Sequence, residues 1–371
     1  MRYFISAGEA SGDLHAAALI DALRSVDEGA CFSFLGGDRM AAAARTTPLV
    51  HIRDMAYMGF SEVLRHLPDI RANLRVAIDA VRSHTMRPDA VILIDYPSFN
   101  LKIAREAHRL GIPVFYYIPP KVWAWKEWRV KSIRRYCTEV FCILPFEQAF
   151  YEKHGMKVTY VGNPSVEEVD AALGYLVPIV SDMPLLALVP GSRMGEIRNN
   201  LPVMAQVAAM FAGSLTPVIA GAPGIPLDFY ESLTPDIPVY YDSSLELMSS
   251  ASVALVTSGT ATLECALVGT PQVACYRANG SRISYEIMRR LLSISYVTLP
   301  NLIMDEEIIP EMLLHCCTPD RVAAELSELL PGTHGRDLME RNYALMRTRL
   351  GNATPALTTA RAIFSRIAPR C

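Results

Sequence analysis

The chain is predicted to be an α/β protein with two doubly wound, largely parallel sheets, and three observations carry that prediction. Apolar runs of four to seven residues alternate with amphipathic segments throughout, as expected for strands covered on both faces by helices. The alternation pauses over 163–183 and then restarts, which divides the chain in two. With 371 residues, 51% hydrophobic and 20% charged, the sequence can fill two cores of ordinary size.

In the first half, strands are expected at 3–7, 31–35, 90–94, 114–118, 139–143 and 158–161, with helices at 13–26, 60–83, 100–110, 127–135 and 145–153. In the second half, strands are expected at 185–189, 218–220, 239–241, 252–256 and 272–276. The segment from about 336 to 369 reads as helix without an intervening strand. The domains are therefore set at 1–165 and 166–335, with a helical tail at 336–371.

The net charge of −3 carries no global nucleic-acid signal. Eight cysteines without a CxxC pair read as free thiols in a reducing compartment. Arg2-Tyr3-Phe4-Ile5-Ser6 is a short strand and not a signal peptide, and no apolar run is long enough for a bilayer. The expected location is cytoplasmic, or peripheral to a membrane.

Doubly wound domains place ligands at the carboxyl ends of their strands, and two of them would face a shared cleft. Five strand ends carry chemistry. The run Ala254 to Glu264 breaks from strand to helix at Thr257-Ser258-Gly259. Free N–H groups at the helix start, with Ser258, Gly259, Thr260 and Thr262, suit a diphosphate, and Glu264 can accept ribose hydroxyls. The bland alternative is an ordinary hydroxyl-capped helix. In Pro190-Gly191-Ser192-Arg193, amides and a guanidinium offer a second diphosphate contact, or merely a surface arginine. The loop Ser6-Ala-Gly8-Glu9-Ala-Ser11-Gly-Asp13 puts two carboxylates after the first strand. That disfavours a dinucleotide and suits a hydroxyl-rich sugar, unless Ser11 or Asp13 simply caps a helix. Asp95 ends an apolar strand, where desolvation raises a carboxyl pKa toward that of a general base; an Asx turn before Pro97 is the alternative. Finally, Trp123, Trp125 and Trp128 are interleaved with Lys121, Lys126, Arg129, Lys131, Arg134 and Arg135. Such a stretch fits an anionic lipid, a membrane surface, single-stranded nucleic acid, or a solvated helix face. Helix 60–83 adds an apolar stripe flanked by arginines, a core stripe or a docking face.

Taken together, Gly8-Glu-Ala-Ser-Gly-Asp13, Ile94-Asp95 with Pro97, Phe99 and Asn100, Val122-Trp-Ala-Trp125, Leu144-Pro-Phe-Glu147, Pro190-Gly-Ser-Arg193, Ser258-Gly-Thr-Ala-Thr-Leu-Glu264 and Leu299-Pro-Asn301-Leu302 resemble the lipid-A-disaccharide synthases. The match spans roughly 3–302, in the family's order. Ser98, where members often carry aspartate, and Lys121, in place of a serine, depart from the pattern.

The resemblance implies a GT-B architecture with Rossmann-like domains and an inverting glycosyl transfer. The implied substrates are UDP-2,3-diacylglucosamine as donor and 2,3-diacylglucosamine 1-phosphate as acceptor, and the products a β-1,6 disaccharide 1-phosphate and UDP. Asp95 is expected as base, with Glu9 as the runner-up, and Arg193 as stabiliser of departing UDP. Gly8, Ser11, Asp13, Asn100, Trp123, Trp125, Gly191, Ser192, Ser258, Gly259, Thr260, Thr262, Glu264 and Asn301 are expected to line the substrates. No metal or cofactor is expected, since no DxD-like pair follows a strand. A homodimer with exchanged C-terminal segments, peripheral on the inner face of an inner membrane and without nucleic acid, completes the expectation. The rivals are a UDP-sugar epimerase, another UDP-N-acetylglucosamine transferase, and a non-enzymatic protein binding nucleic acid or anionic lipid through 121–135.

Overall fold

Runs of valine, leucine, isoleucine and alanine without a polar side form the sheet centres. The computed structural model describes residues 1–55, 66–277 and 295–368. Here β4 (Ala90–Ile94), β8 (Leu185–Val189) and β11 (Val253–Thr257) are buried at every position. Branched side chains suit these strands because helices cover both faces of a parallel sheet.

The chain divides into unit 1, residues 1–164 and 352–371, and unit 2, residues 165–351. In unit 1, β1 (Arg2–Ala7), β2 (Cys31–Gly36), β3 (Val50–His51), β5 (Val114–Tyr117), β6 (Glu139–Cys142) and β7 (Thr159–Tyr160) join β4 in the parallel order β3-β2-β1-β4-β5-β6-β7. In unit 2, β9 (Thr216–Ala220), β10 (Val239–Tyr240), β12 (Gln272–Tyr276) and β13 (Glu311–Leu313) give β10-β9-β8-β11-β12-β13, again parallel. Strand order reverses between β1 and β4 in unit 1, and between β8 and β11 in unit 2. The crevice outside the carboxyl ends of such a pair is the ligand position of a doubly wound sheet.

The differences from the sequence reading lie at the margins. β3 and β13 are too short to show periodicity. The stretch after Asn163, read as weakly patterned, is a helix (Pro164–Leu173) opened by a proline whose missing N–H costs nothing in a first turn. Residues 60–65 of the predicted helix 60–83 lie outside the described residues. Its described part is Leu67–Arg82, where one side of the helix turns to the core. Ile70, Leu74, Ala77 and Val81 pack on the core of unit 1, leaving Arg71, Arg75 and Val76 exposed. The segment read as one tail is two helices with different homes. His334–Leu350 buries Met339, Tyr343 and Met346 in unit 2, while Pro355–Ile367 packs against Ala10–Val26 and buries Ala360 and Ile363 in unit 1. Among the described residues, no helix is long and apolar enough to cross a membrane.

Candidate active site

In unit 1 the reversal point is built on two consecutive left-handed residues. Asp95 (φ 42°) and Tyr96 (φ 47°) follow β4, a conformation costly for residues with a Cβ and kept only when surroundings enforce it. The enforcement is visible. The Asp95 amide donates to the Ile118 carbonyl at 3.1 Å. The Asp95 carbonyl accepts from Tyr116 Oη at 2.6 Å and from Asn100 Nδ2 at 2.8 Å. Asn100 Nδ2 also donates to the Ile94 carbonyl, and its Oδ1 accepts from Ser6 Oγ at 2.7 Å. One buried amide thereby ties the end of β1 to the end of β4.

The turn aims the Asp95 carboxylate outward, reached by water yet ringed by protein. Burial pushes its pKa up, and the Glu9 carboxylate pushes the same way, while Lys121 and the Tyr96 amide oppose. Gly8 is needed for this packing, since a Cβ there would sit 2.5 Å from Cγ of Tyr96. Tyr96 Oη in turn donates to the Met55 carbonyl at 3.2 Å.

In unit 2 the same position carries positive groups. Gly191 has φ 123°, and a Cβ there would collide with Glu196 at 2.7 Å. Ser192 N–H donates to Glu196 Oε2, and Arg193 Nη1 to Glu196 Oε1, each at 3.1 Å. This carboxylate, three residues after Arg193, sits on donors that would otherwise meet an anion. Across the reversal point, helix Thr260–Leu267 begins at the exposed Gly259, around which a Cβ would find open space. Glu264 is half-buried, its pKa raised by burial and then by Glu168. Asn200 is the counterpart of Asn100. Its Nδ2 donates to the Pro190 carbonyl (3.2 Å) and Thr257 Oγ1 (3.1 Å), and its Oδ1 accepts from the Arg277 amide (2.6 Å).

Several residues assigned to substrate from the sequence are committed inside the protein instead. Asn100 is fully buried and holds backbone. Asp13 caps a neighbouring helix, accepting from the Gly37, Arg39 and Met40 amides, because helix Ala10–Val26 already starts at Ala10 with Glu9 before it. Thr262 Oγ1 donates to the Gly259 carbonyl, fully buried. Asn301, also fully buried, spans the Ile309 carbonyl, Glu311 and the Ile308 and Ile309 amides. Trp123 is buried edge-on against Phe146 and donates to Glu147 Oε1 at 3.2 Å. Glu9, Ser11, Trp125, Ser192, Arg193, Gly259 and Thr260 remain exposed, and Ser258, Gly191 and Glu264 partly so. Sequence reasoning missed Tyr116, Asn200 and the bonding of Glu147. Glu196, by contrast, is legible as an acid at a helix start.

Two doubly wound, all-parallel sheets in this order belong to the GT-B fold class. Among solved structures, the glycosyltransferase of kitacinnamycin superposes with a TM-score of 0.65 at 15% identity, covering 99% of each chain. UDP-GlcNAc 2-epimerase from Neisseria meningitidis bound to UDP-GlcNAc gives 0.62 at 12% identity, covering 99% of each chain; likenesses this distant in sequence speak for the fold. The family described as lipid-A-disaccharide synthetase matches residues 3–354. The lipid-A-disaccharide synthase of Myxococcus xanthus (strain DK1622) is 37% identical, covering 99% of this chain and 98% of that protein. That of Acidobacterium capsulatum is 36% identical, covering 94% and 91%. The chain belongs to the lipid-A-disaccharide synthase family, a glycosyltransferase of lipid A biosynthesis.

Proposed function

We propose that the protein transfers a diacylglucosaminyl group from UDP-2,3-diacylglucosamine to the 6-hydroxyl of 2,3-diacylglucosamine 1-phosphate, giving a β-1,6 disaccharide 1-phosphate and UDP. The observation that carries this reading is Asp95, a carboxylate with a raised pKa on an enforced left-handed turn at the reversal point of unit 1. Asp95 takes the proton of the attacking hydroxyl as the new C–O bond forms and the anomeric C–O bond to UDP breaks. One displacement inverts the anomeric centre. UDP leaves with added negative charge, which Arg193 and the amides at 258–260 meet electrostatically. Glu264 accepts from the ribose. In this reading no metal takes part.

Both substrates carry acyl chains, so we infer peripheral contact with the inner face of the inner membrane, made by exposed Trp125 and Trp128 with the neighbouring Lys126 and Lys131. A homodimer with exchanged C-terminal segments follows from the family resemblance and is checked by sedimentation. The deciding experiment is a transfer assay with both diacylated substrates, comparing the parent chain with Asp95→Asn and Glu9→Gln. Near-normal turnover of Asp95→Asn removes Asp95 as base. Because an epimerase shares the fold, incubation with UDP-GlcNAc alone, read for its epimer, separates the second reading.

A further inference from the structure

Arg129 is almost fully buried, 8% exposed, under a thin cover in which the exposed Trp128 ring lies 5.6 Å from its guanidinium. A guanidinium stays charged and has five N–H donors. The hydrogen bond shown for it is from Nη2 to Ser98 Oγ, at 2.7 Å. Among the described residues no carboxylate pairs with it. A buried charge without a counter-charge is costly, and burial accordingly pulls its pKa down.

The guanidinium borders an open groove of about 350 Å³, whose other walls include Ser98, Lys102, Arg105, Trp128 and Ser132. Among the described residues this lining has three cations and no acid. The neighbouring grooves on unit 1 differ, since their linings contain Glu127, Asp79 or Glu106. Ser98 sits in the first turn of helix Pro97–Arg109, which begins directly after the left-handed Asp95–Tyr96 turn. Arg129 is near enough to Tyr116, whose hydroxyl holds the Asp95 carbonyl, to interact with it electrostatically.

We propose that Arg129 and Ser98, flanked by Lys102 and Arg105, form a binding site for a phosphate monoester. Naming the acceptor's 1-phosphate as its source rests on the function proposed above; the headgroup of phosphatidic acid, also a phosphate monoester, is the other source of the same chemistry. The site fixes the acceptor by its charged end, leaving its hydroxyl to Asp95.

The test uses the full chain, with glucosamine 1-phosphate and phosphatidic-acid vesicles as separate probes, read by calorimetric titration and thermal denaturation. The expected result is that glucosamine 1-phosphate binds and glucosamine does not. Arg129→Gln should weaken binding about tenfold or more without lowering the unliganded Tm, because it removes an uncompensated charge; Arg129→Lys should restore part of the affinity. The exposed pair Lys102→Gln and Arg105→Gln should weaken binding in a chain whose core is untouched. In transfer assays Arg129→Gln should raise the acceptor KM and leave the donor KM in place. Unchanged sugar-phosphate binding in Arg129→Gln and in the exposed pair overturns the proposal. Arg129-dependent vesicle binding without sugar-phosphate binding overturns the acceptor as source. If the parent chain binds glucosamine 1-phosphate through Arg129 yet transfers nothing, the site stands and the proposed function falls.

Discussion

The two units repeat one scaffold and invest it with opposite chemistry. Each has a parallel sheet whose order reverses beside its first strand, and each secures that point with a fully buried asparagine, Asn100 or Asn200. In unit 1 the turn so held presents a carboxylate, Asp95, on two left-handed residues. In unit 2 it presents amides and the Arg193 guanidinium on a glycine turn. Burial separates them further. Among the described residues the buried Asp, Glu and Arg side chains, Asp13, Glu106, Arg129 and Glu147, all lie in unit 1, whereas unit 2 buries neutral amides and hydroxyls. The topology thus decides where a ligand goes, and a few side chains decide which. Carboxylates suit a hydroxyl that must lose a proton; N–H donors suit a diphosphate that gains charge.

The largest effect should come from Asp95→Asn, with turnover falling about 10²–10⁴-fold, the usual worth of a general base. Steady-state transfer rates would show it. The acidic limb of the parent chain's pH–rate profile should lie above the ordinary aspartate range, since burial raises this pKa. An acidic limb that survives in Asp95→Asn would move the base to another group and weaken the contrast between the units.

Second is Glu147, which accepts from Trp123 Nε1 and the Ile143 and Leu144 amides and whose pKa burial raises to about 7. The sign is opposite to that of a salt-bridged acid. Between its unfolded value near 4.5 and about 7 the folded chain binds the extra proton. Stability is therefore greatest below that window, falls as pH rises through it by on the order of 3 kcal/mol, and is flat above. Glu147→Gln should remove the slope, as followed by Tm against pH. A parent chain without the slope would show that Lys121, the bonded amides and Trp123 fully compensate the charge.

Third, Asn100→Ala and Asn200→Ala should each cost about 1–3 kcal/mol per stranded partner, measured by thermal denaturation. Their functional readouts sharpen the comparison. Asn100→Ala frees the Asp95 turn and should lower kcat, while Asn200→Ala loosens the ends of β8, β11 and β12 and should weaken UDP binding. The same phenotype from both would erase the division of labour.

The smallest expected change is in donor affinity. Arg193→Ala and Glu264→Ala should each raise the donor KM about tenfold, the worth of one charged hydrogen bond, with acceptor KM unaltered. An acceptor-side effect from either would break the assignment of UDP to unit 2.

The sequence by itself determined the two-sheet α/β fold, because a strand buried on both faces must be apolar along its length, and runs such as Ala90–Ile94 and Val253–Thr257 announce that wherever they occur. It also located the reversal-point loops, since glycine and a strand-ending aspartate are visible one residue at a time. Short strands such as Val50–His51 were beyond it, having too few residues for any period. Tertiary structure alone decided which polar residues are spent. Asp13, Asn100, Thr262 and Asn301 look like ligands in a motif but bond amides, carbonyls or carboxylates, several of them far off in the sequence. It alone decided, too, that Arg129 is buried without a carboxylate among the described residues, that Leu74 faces a core, and that the last helix packs on Ala10–Val26. The physical reason is that periodicity and turn chemistry are local, whereas satisfaction of a hydrogen-bonding group or a charge depends on partners the folded chain brings from elsewhere.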